Sequence, residues 1–116
     1  MIDKIFDENV AAVLKHYLEL PETPSKASFN DRQTAVKLLE SGVRLPTVES
    51  ALLLGTVRRL GRSPDLPPLS PIRSLAYFLP VIQELLNSPI PDAYVSYLRR
   101  KVRLLSGNNK TKPNCS

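Results

Sequence analysis

Proline sets the strongest constraint on how this chain can fold, because eleven of its 116 residues are prolines and only four are glycines. Proline lacks a backbone donor and disfavours helical conformation in the residue before it, so helices end before it or start with it. The first helix is therefore expected to end at Pro21, and two others to start at Pro46 and Pro91. Pro80 falls inside a fourth apolar stretch, where it is expected to bend or break the helix.

Apolar side chains recur at steps of three and four residues between these prolines, which is the pattern of amphipathic helices. The pattern predicts helices over about residues 3–20, 30–41, 46–60, 70–86 and 91–106. No stretch alternates as a strand does, so we predict an all-α fold, a compact irregular bundle of about five helices. A single helical domain over residues 1–107 would be followed by a disordered polar tail over residues 108–116.

Several residues are expected to shape the inside of this bundle. The third helix is apolar nearly all round, as central helices are, and Gly55 is expected to permit a close crossing. Asn30 and Gln33 fit a capping box at the start of the second helix, with Phe29 closing over its first turn. Gly42 fits the left-handed residue past its end. The predicted core contains Phe6, Val10, Leu14, Leu38, Leu39, Val48, Leu52, Leu75, Ile82, Leu98 and Val102.

Charge is distributed unevenly along the chain, whose formal net charge is +5. Residues 1–57 carry six Lys or Arg and eight Asp or Glu, a net charge of −2, whereas residues 58–116 carry ten and three, a net charge of +7. Such asymmetry indicates a basic surface for phosphate or for an acidic protein partner. The alternative is a soluble protein whose cations happen to cluster.

The fifth helix carries the strongest candidate for a binding site. Tyr94 and Leu98 are expected to face inward, and Tyr97 to stack or hydrogen-bond beside the cations on the other side. Phosphate contact needs only cations at suitable spacing, although a solvated helix face would show the same pattern. The candidate nucleic-acid-binding residues are Arg99, Arg100, Lys101 and Arg103 on this helix, with Arg58, Arg59, Arg62 and Arg73 flanking them if the fold brings them together.

The second and third helices, joined by a short turn at Gly42, resemble a helix-turn-helix. The exposed face of the third helix would offer Thr47, Glu49 and Ser50 to base edges, but no Arg, Lys, Asn or Gln. A helical hairpin packed inside a bundle is the favoured interpretation.

No arrangement of residues typical of catalysis occurs in the sequence, neither a nucleophile elbow, nor a glycine-rich phosphate loop, nor a metal-ligand spacing. His16 is the one histidine and is interpreted as a surface or boundary residue. Cys115 is the one cysteine and cannot form an internal disulfide, which fits a reducing cytoplasm. We therefore expect no enzymatic activity, cofactor, metal or small-molecule substrate. No stretch reaches about 18 apolar residues, so we expect no segment that spans a membrane and no membrane partner.

The segment from Asn30 to Val102 carries a pattern of short motifs. Asp31-Arg32 opens a helix that ends in Glu40-Ser41-Gly42-Val43, and Leu45-Pro46-Thr47-Val48-Glu49-Ser50-Ala51 starts the next. Pro71-Ile72-Arg73-Ser74-Leu75-Ala76-Tyr77-Phe78 follows, in which Arg73, Ser74 and Tyr77 form the spacing basic residue, Ser, x, x, Tyr. The pattern resembles the helical C-terminal region of replication-initiator-like proteins of bacteria and their plasmids or phages. The winged-helix region that precedes it in those proteins is not part of this pattern, so the resemblance implies an accessory helical module that binds DNA or a replication partner.

These observations favour a non-enzymatic, mainly sequence-independent nucleic-acid-binding accessory protein. Its expected setting is the cytoplasm of a bacterium, in replication or in a mobile element. The alternative is a protein–protein adaptor or a small effector that binds a partner through a groove between helices.

Overall fold

A computed structural model describes residues 4–107, and five α-helices form around a common core. The elements are α1 (Lys4–Leu18), α2 (Phe29–Glu40), α3 (Leu45–Leu60), a 3₁₀ turn (Leu75–Phe78), α4 (Leu79–Asn87) and α5 (Asp92–Gly107). Residues 4–107 contain no strand, so the predicted all-α bundle of about five helices is confirmed. None of these helices is long and apolar enough to cross a membrane. The tail predicted over residues 108–116 lies outside the described part of the chain.

Helix α3 is the central element, as its apolar circumference predicted. It packs against α1, α4, α5 and the 3₁₀ turn. Val48, Ala51 and Leu52 are almost completely buried along it. Helices α4 and α5 make their largest contacts with α3, so packing on α3 is the main determinant of their positions.

The predicted core is largely confirmed. Six of its eleven residues are buried, namely Val10, Val48, Leu52, Leu75, Ile82 and Leu98, and Phe6, Leu14, Leu38, Leu39 and Val102 are half-buried at its edge. The eleven predicted residues do not include Tyr17 and Phe78, two of the largest fully buried side chains. Their rings meet edge to face with centroids 6.3 Å apart, and this contact joins α1 to the 3₁₀ turn.

Helix α2 begins earlier than predicted, with a different cap. Ser28 is the N-cap, its hydroxyl accepts a hydrogen bond from the Asp31 backbone, and the Asp31 carboxylate accepts one from the Ser28 backbone. Asn30 and Gln33, the predicted pair, therefore lie within the helix and do not cap it, and that prediction was wrong. Phe29 is the first helical residue and is 73% exposed, so it does not close over the turn.

Asp31 also holds a distant segment in place. Its carboxylate is 1% exposed, and while Oδ2 accepts from Ser28, Oδ1 accepts a 2.9 Å hydrogen bond from the backbone of Leu75. The same charge and burial together raise the pKa of the neighbouring Tyr17, with burial the larger cause. Asp31 thus fixes the start of α2 against the start of the 3₁₀ turn.

The end of α2 agrees with the prediction. Gly42 has a φ of 98°, and its backbone donates to the carbonyl of Leu39. The backbone of Val43 donates to the carbonyl of Leu38, and its side chain is buried. A residue with a side chain would be strained at this φ, so glycine permits the sharp turn into α3.

The fourth helix starts later than predicted. Residues 71–74 are not helical, because Ile72 is buried and donates its backbone N–H to the carbonyl of Glu22 in the connector between α1 and α2. The chain then forms the 3₁₀ turn, and Pro80 lies in the first turn of α4. Proline is tolerated there because its missing N–H has no helical partner, so Pro80 opens α4 and separates it from the 3₁₀ turn.

The close crossing expected at Gly55 is present, and it yields a stability test. A Cβ at this position would lie 2.8 Å and 2.9 Å from two ring atoms of Phe78, which is fully buried. Alanine gains helix propensity, but overpacking against a fixed ring costs about 1–3 kcal/mol. We expect Gly55→Ala to lower the free energy of unfolding in urea by about 1 kcal/mol or more.

Replacement of the Phe78 ring by the smaller leucine side chain gives the control for this prediction. In the double variant Gly55→Ala/Phe78→Leu the loss is expected to be smaller than the sum of the two single losses, because the added methyl then finds space. An unchanged or raised stability of Gly55→Ala alone would contradict the close packing.

Candidate functional site

Helix α5 has one face against the bundle and one that is open to solvent. Leu98 is fully buried, and Val95 and Val102 are half-buried, where the helix packs on α3. The open side carries the cations. Arg99, Arg100 and Arg103 are exposed, Lys101 is half-buried, and none of the four forms an ion pair within residues 4–107.

The flanking arginines do not join this set as a group. Arg59 is only 8% exposed: its Nε donates to Glu22 at 2.6 Å, and its two terminal nitrogens donate to the Tyr77 hydroxyl and to the Ser70 carbonyl. Its guanidinium also lies 5.6 Å from the centre of the Tyr77 ring. Burial acts to lower the pKa of Arg59, but the bonds to Tyr77 and Glu22 outweigh it and the pKa is raised. Arg59 therefore supports the fold and is not accessible to a phosphate.

The other three flanking arginines remain at the surface in different states. Arg58 forms a two-pronged pair with Glu84 at 2.8 Å and 2.7 Å. These bonds raise the pKa of Arg58 and lower that of Glu84. Arg62 is half-buried and donates to the carbonyl of Pro67, and Arg73 is exposed. Only Arg73 of the predicted flanking set is exposed without a side-chain bond to residues 4–107.

Two tyrosines on the open side of α5 complete the surface. Tyr94 and Tyr97 are 41% and 42% exposed, and their rings stack with centroids 5.6 Å apart at an angle of 24°. The prediction that Tyr94 faces inward was wrong, because Leu98 and Val95 fill the contact with α3 instead. We call Tyr94, Tyr97, Arg99, Arg100 and Arg103 the α5 surface.

A groove with an apolar floor lies beside the α5 surface. The groove lies between α3, α5 and the end of α1, and has a volume of about 470 Å³. Leu20, Leu52, Leu53 and Val102 line its floor. A cavity of this size with an apolar floor is typical of ligand and peptide sites.

Both signs of charge line the groove's rim. Arg99 and Arg103 lie on the α5 side, and Glu19 lies at the end of α1. Glu49 of α3 is 2.8 Å from Nε2 of His16, so its carboxylate has a partner already. Two of the predicted nucleic-acid-binding residues therefore also border this groove.

The first turns of α3 are covered, which bears on the helix-turn-helix alternative. Ser50 is buried, Thr47 is half-buried beside α4 and α5, and Glu49 is paired with His16. A recognition helix has to present its first turns to a DNA groove. The packing interpretation of α3 is thus the one that fits the geometry.

Within residues 4–107 no three His, Cys, Asp or Glu side chains group as metal ligands do. Comparison of the chain with models of protein families, with curated proteins and with solved structures finds no match. Function is therefore inferred from the residues and geometry of the chain itself.

The neighbouring residues Arg58 and Arg59 provide a matched test of the conclusion that Arg59 stabilises the fold and Arg58 lies at the surface. Replacing Arg59, which is buried, by glutamine removes its hydrogen bonds to Glu22, Tyr77 and the Ser70 carbonyl. We expect the free energy of unfolding to fall by about 1–3 kcal/mol. Arg58→Gln removes only an exposed pair, and thermal unfolding is expected to be almost unchanged. Equal effects of the two substitutions would contradict the assignment.

Proposed function

We propose that this protein binds nucleic acid through the α5 surface, without catalysis and mainly without reading sequence. The observation that carries the proposal is the set of three exposed arginines on one helix, none of which has an acidic partner within residues 4–107. The one acidic residue of α5 is Asp92 in its first turn. Unneutralised guanidinium groups attract phosphates over a distance and bind them at close range.

The arginine spacing supports phosphate contact. Arg99 and Arg103 are one helical turn apart, and Arg100 lies three residues before Arg103, so the three guanidinium groups share one side of the helix. Such contacts position a backbone but carry no sequence information. The first turns of α3 are largely covered by the bundle, which supports binding that does not depend on base reading.

Other cations would extend this contact. Lys101 is half-buried on α5 itself, and Arg73 is exposed just before the 3₁₀ turn, where a long polyanion would have to extend to reach it. Arg58 and Arg62 would first have to give up their bonds to Glu84 and Pro67. The proposed contact thus centres on Arg99, Arg100 and Arg103, and the resemblance to replication-initiator-like proteins suggests an accessory role in replication or in a mobile element of bacteria.

The salt dependence of binding tests the proposal. On duplex DNA the logarithm of affinity falls with the logarithm of salt concentration, with a slope of about −0.9 for each neutralised phosphate. Arg100→Gln/Arg103→Gln removes two contacts, so the slope is expected to become shallower by about two units. Unrelated sequences should lose affinity by similar factors. Fluorescence anisotropy with labelled oligonucleotides measures both quantities.

The matched control is Arg32→Gln, which removes one exposed cation from α2, whose main contacts are with α1 and the 3₁₀ turn. It is expected to leave the slope unchanged. Absence of binding to DNA and RNA at about 50 mM salt, where phosphate contacts are strong, would defeat the proposal.

A second candidate function, a protein–protein adaptor or small effector, is favoured by the groove beside α5. The groove has an apolar floor and a rim with charges of both signs, which suits an amphipathic helix. The leucines of that helix would enter the groove, and its acidic residue would pair with Arg99 and Arg103. This function does not require nucleic acid.

A designed peptide distinguishes the two functions. An amphipathic helical peptide with leucines at steps of three and four, and one glutamate beside them, should bind the protein through the groove. Leu53→Gln should abolish the binding and Leu104→Gln should not, because Leu104 is exposed outside the groove. Calorimetric titration measures the affinity, and equal binding by both variants would exclude the groove.

A further inference from the structure

Tyr94 and Tyr97 on α5 are only partly buried. Each is about two-fifths exposed to solvent, while Leu98, one turn after Tyr94, supplies the buried contact with the bundle. The rings stack on one another, so one helix holds two aromatic faces in a fixed orientation at the surface. Their mutual contact limits the entropy that a further stacking partner would cost.

The cations continue directly from this pair. Arg100 follows Tyr97 by three residues and precedes Arg103 by three, so it lies between the aromatic rings and the next guanidinium on the surface of the helix. An extended chain that alternates flat rings and anionic groups would therefore match the α5 surface along its length.

We propose that the α5 surface binds single-stranded nucleic acid in preference to duplex, with a base stacked on the Tyr94–Tyr97 pair and its phosphates at Arg100 and Arg103. This rests on the proposed function and specifies its ligand. Every base has an aromatic face, so stacking adds affinity without sequence preference. By alanine substitution a stacked base contributes roughly 5- to 150-fold in affinity.

Duplex nucleic acid can use only half of this surface. Its base faces are covered by their neighbours, and reaching one requires unstacking and kinking of the double helix, which is unfavourable at every step. A duplex would therefore contact the arginines and leave the tyrosines uncovered. The preference for a single strand comes from the rings, whereas affinity for either form depends on the arginines.

The test compares a labelled oligothymidine with a duplex of equal length at one salt concentration. The wild-type protein is expected to bind the single strand at least about tenfold more tightly. Tyr97→Leu should weaken single-strand binding about tenfold and leave duplex binding unchanged, whereas Tyr97→Phe, which keeps the ring, should retain the wild-type affinity.

Phe29→Leu is the matched control, because Phe29 is an exposed aromatic residue on α2, whose main contacts are with α1 and the 3₁₀ turn. It should alter neither affinity. Thermal unfolding of each variant verifies that the fold is retained, and upfield shifts of the Tyr97 ring protons on titration report stacking directly.

The outcomes separate this inference from the proposed function. Equal binding of single strand and duplex, both weakened by Arg100→Gln/Arg103→Gln and neither by Tyr97→Leu, would overturn the stacking inference and leave the proposed function standing. Single-strand binding that survives Tyr97→Leu would also overturn it. Absence of binding to either form would overturn both proposals.

Discussion

The contact between the Phe78 ring and the backbone of Gly55 is the constraint on which this small bundle depends. The ring lies where a side chain on α3 would otherwise stand, and its edge-to-face contact with Tyr17 brings α1 to the same point. Three elements thus meet around one aromatic ring with no space left over. Since α4 begins at the next residue, the position of Phe78 also sets where the chain starts its return along α3.

Periodicity alone predicted the helices well, because the apolar stripe of each helix agrees with the face that it buries. The ends were harder. Two overlapping capping boxes compete at the start of α2, Ser28 with Asp31 and Asn30 with Gln33. The first one forms because Asp31 also accepts a bond from Leu75, a contact 44 residues away that no local pattern contains. A similar distant bond, from Ile72 to Glu22, keeps residues 71–74 out of the fourth helix.

The part of the candidate site that lies on one helix could be predicted from the sequence. Arg99, Arg100 and Arg103 lie on one helix, so their spacing was enough to place them on a common exposed side. Arg59 could not be assigned in this way, because its burial depends on Glu22, 37 residues earlier. The orientation of Tyr94 depends likewise on which side of α5 fits against α3, and Leu98 and Val95 fill that contact.

The two-sided role of Asp31 has a consequence for the order in which the chain folds. Its bond with Ser28 closes a loop of three residues and can form as soon as α2 nucleates, whereas its bond with Leu75 requires closure of a long loop, which is slower and entropically costlier. The local cap therefore orients the carboxylate before the distant segment arrives. The N-terminus of α2 thus presents an oriented acceptor for the backbone of Leu75, and α2 is expected to form before the 3₁₀ turn is fixed against it.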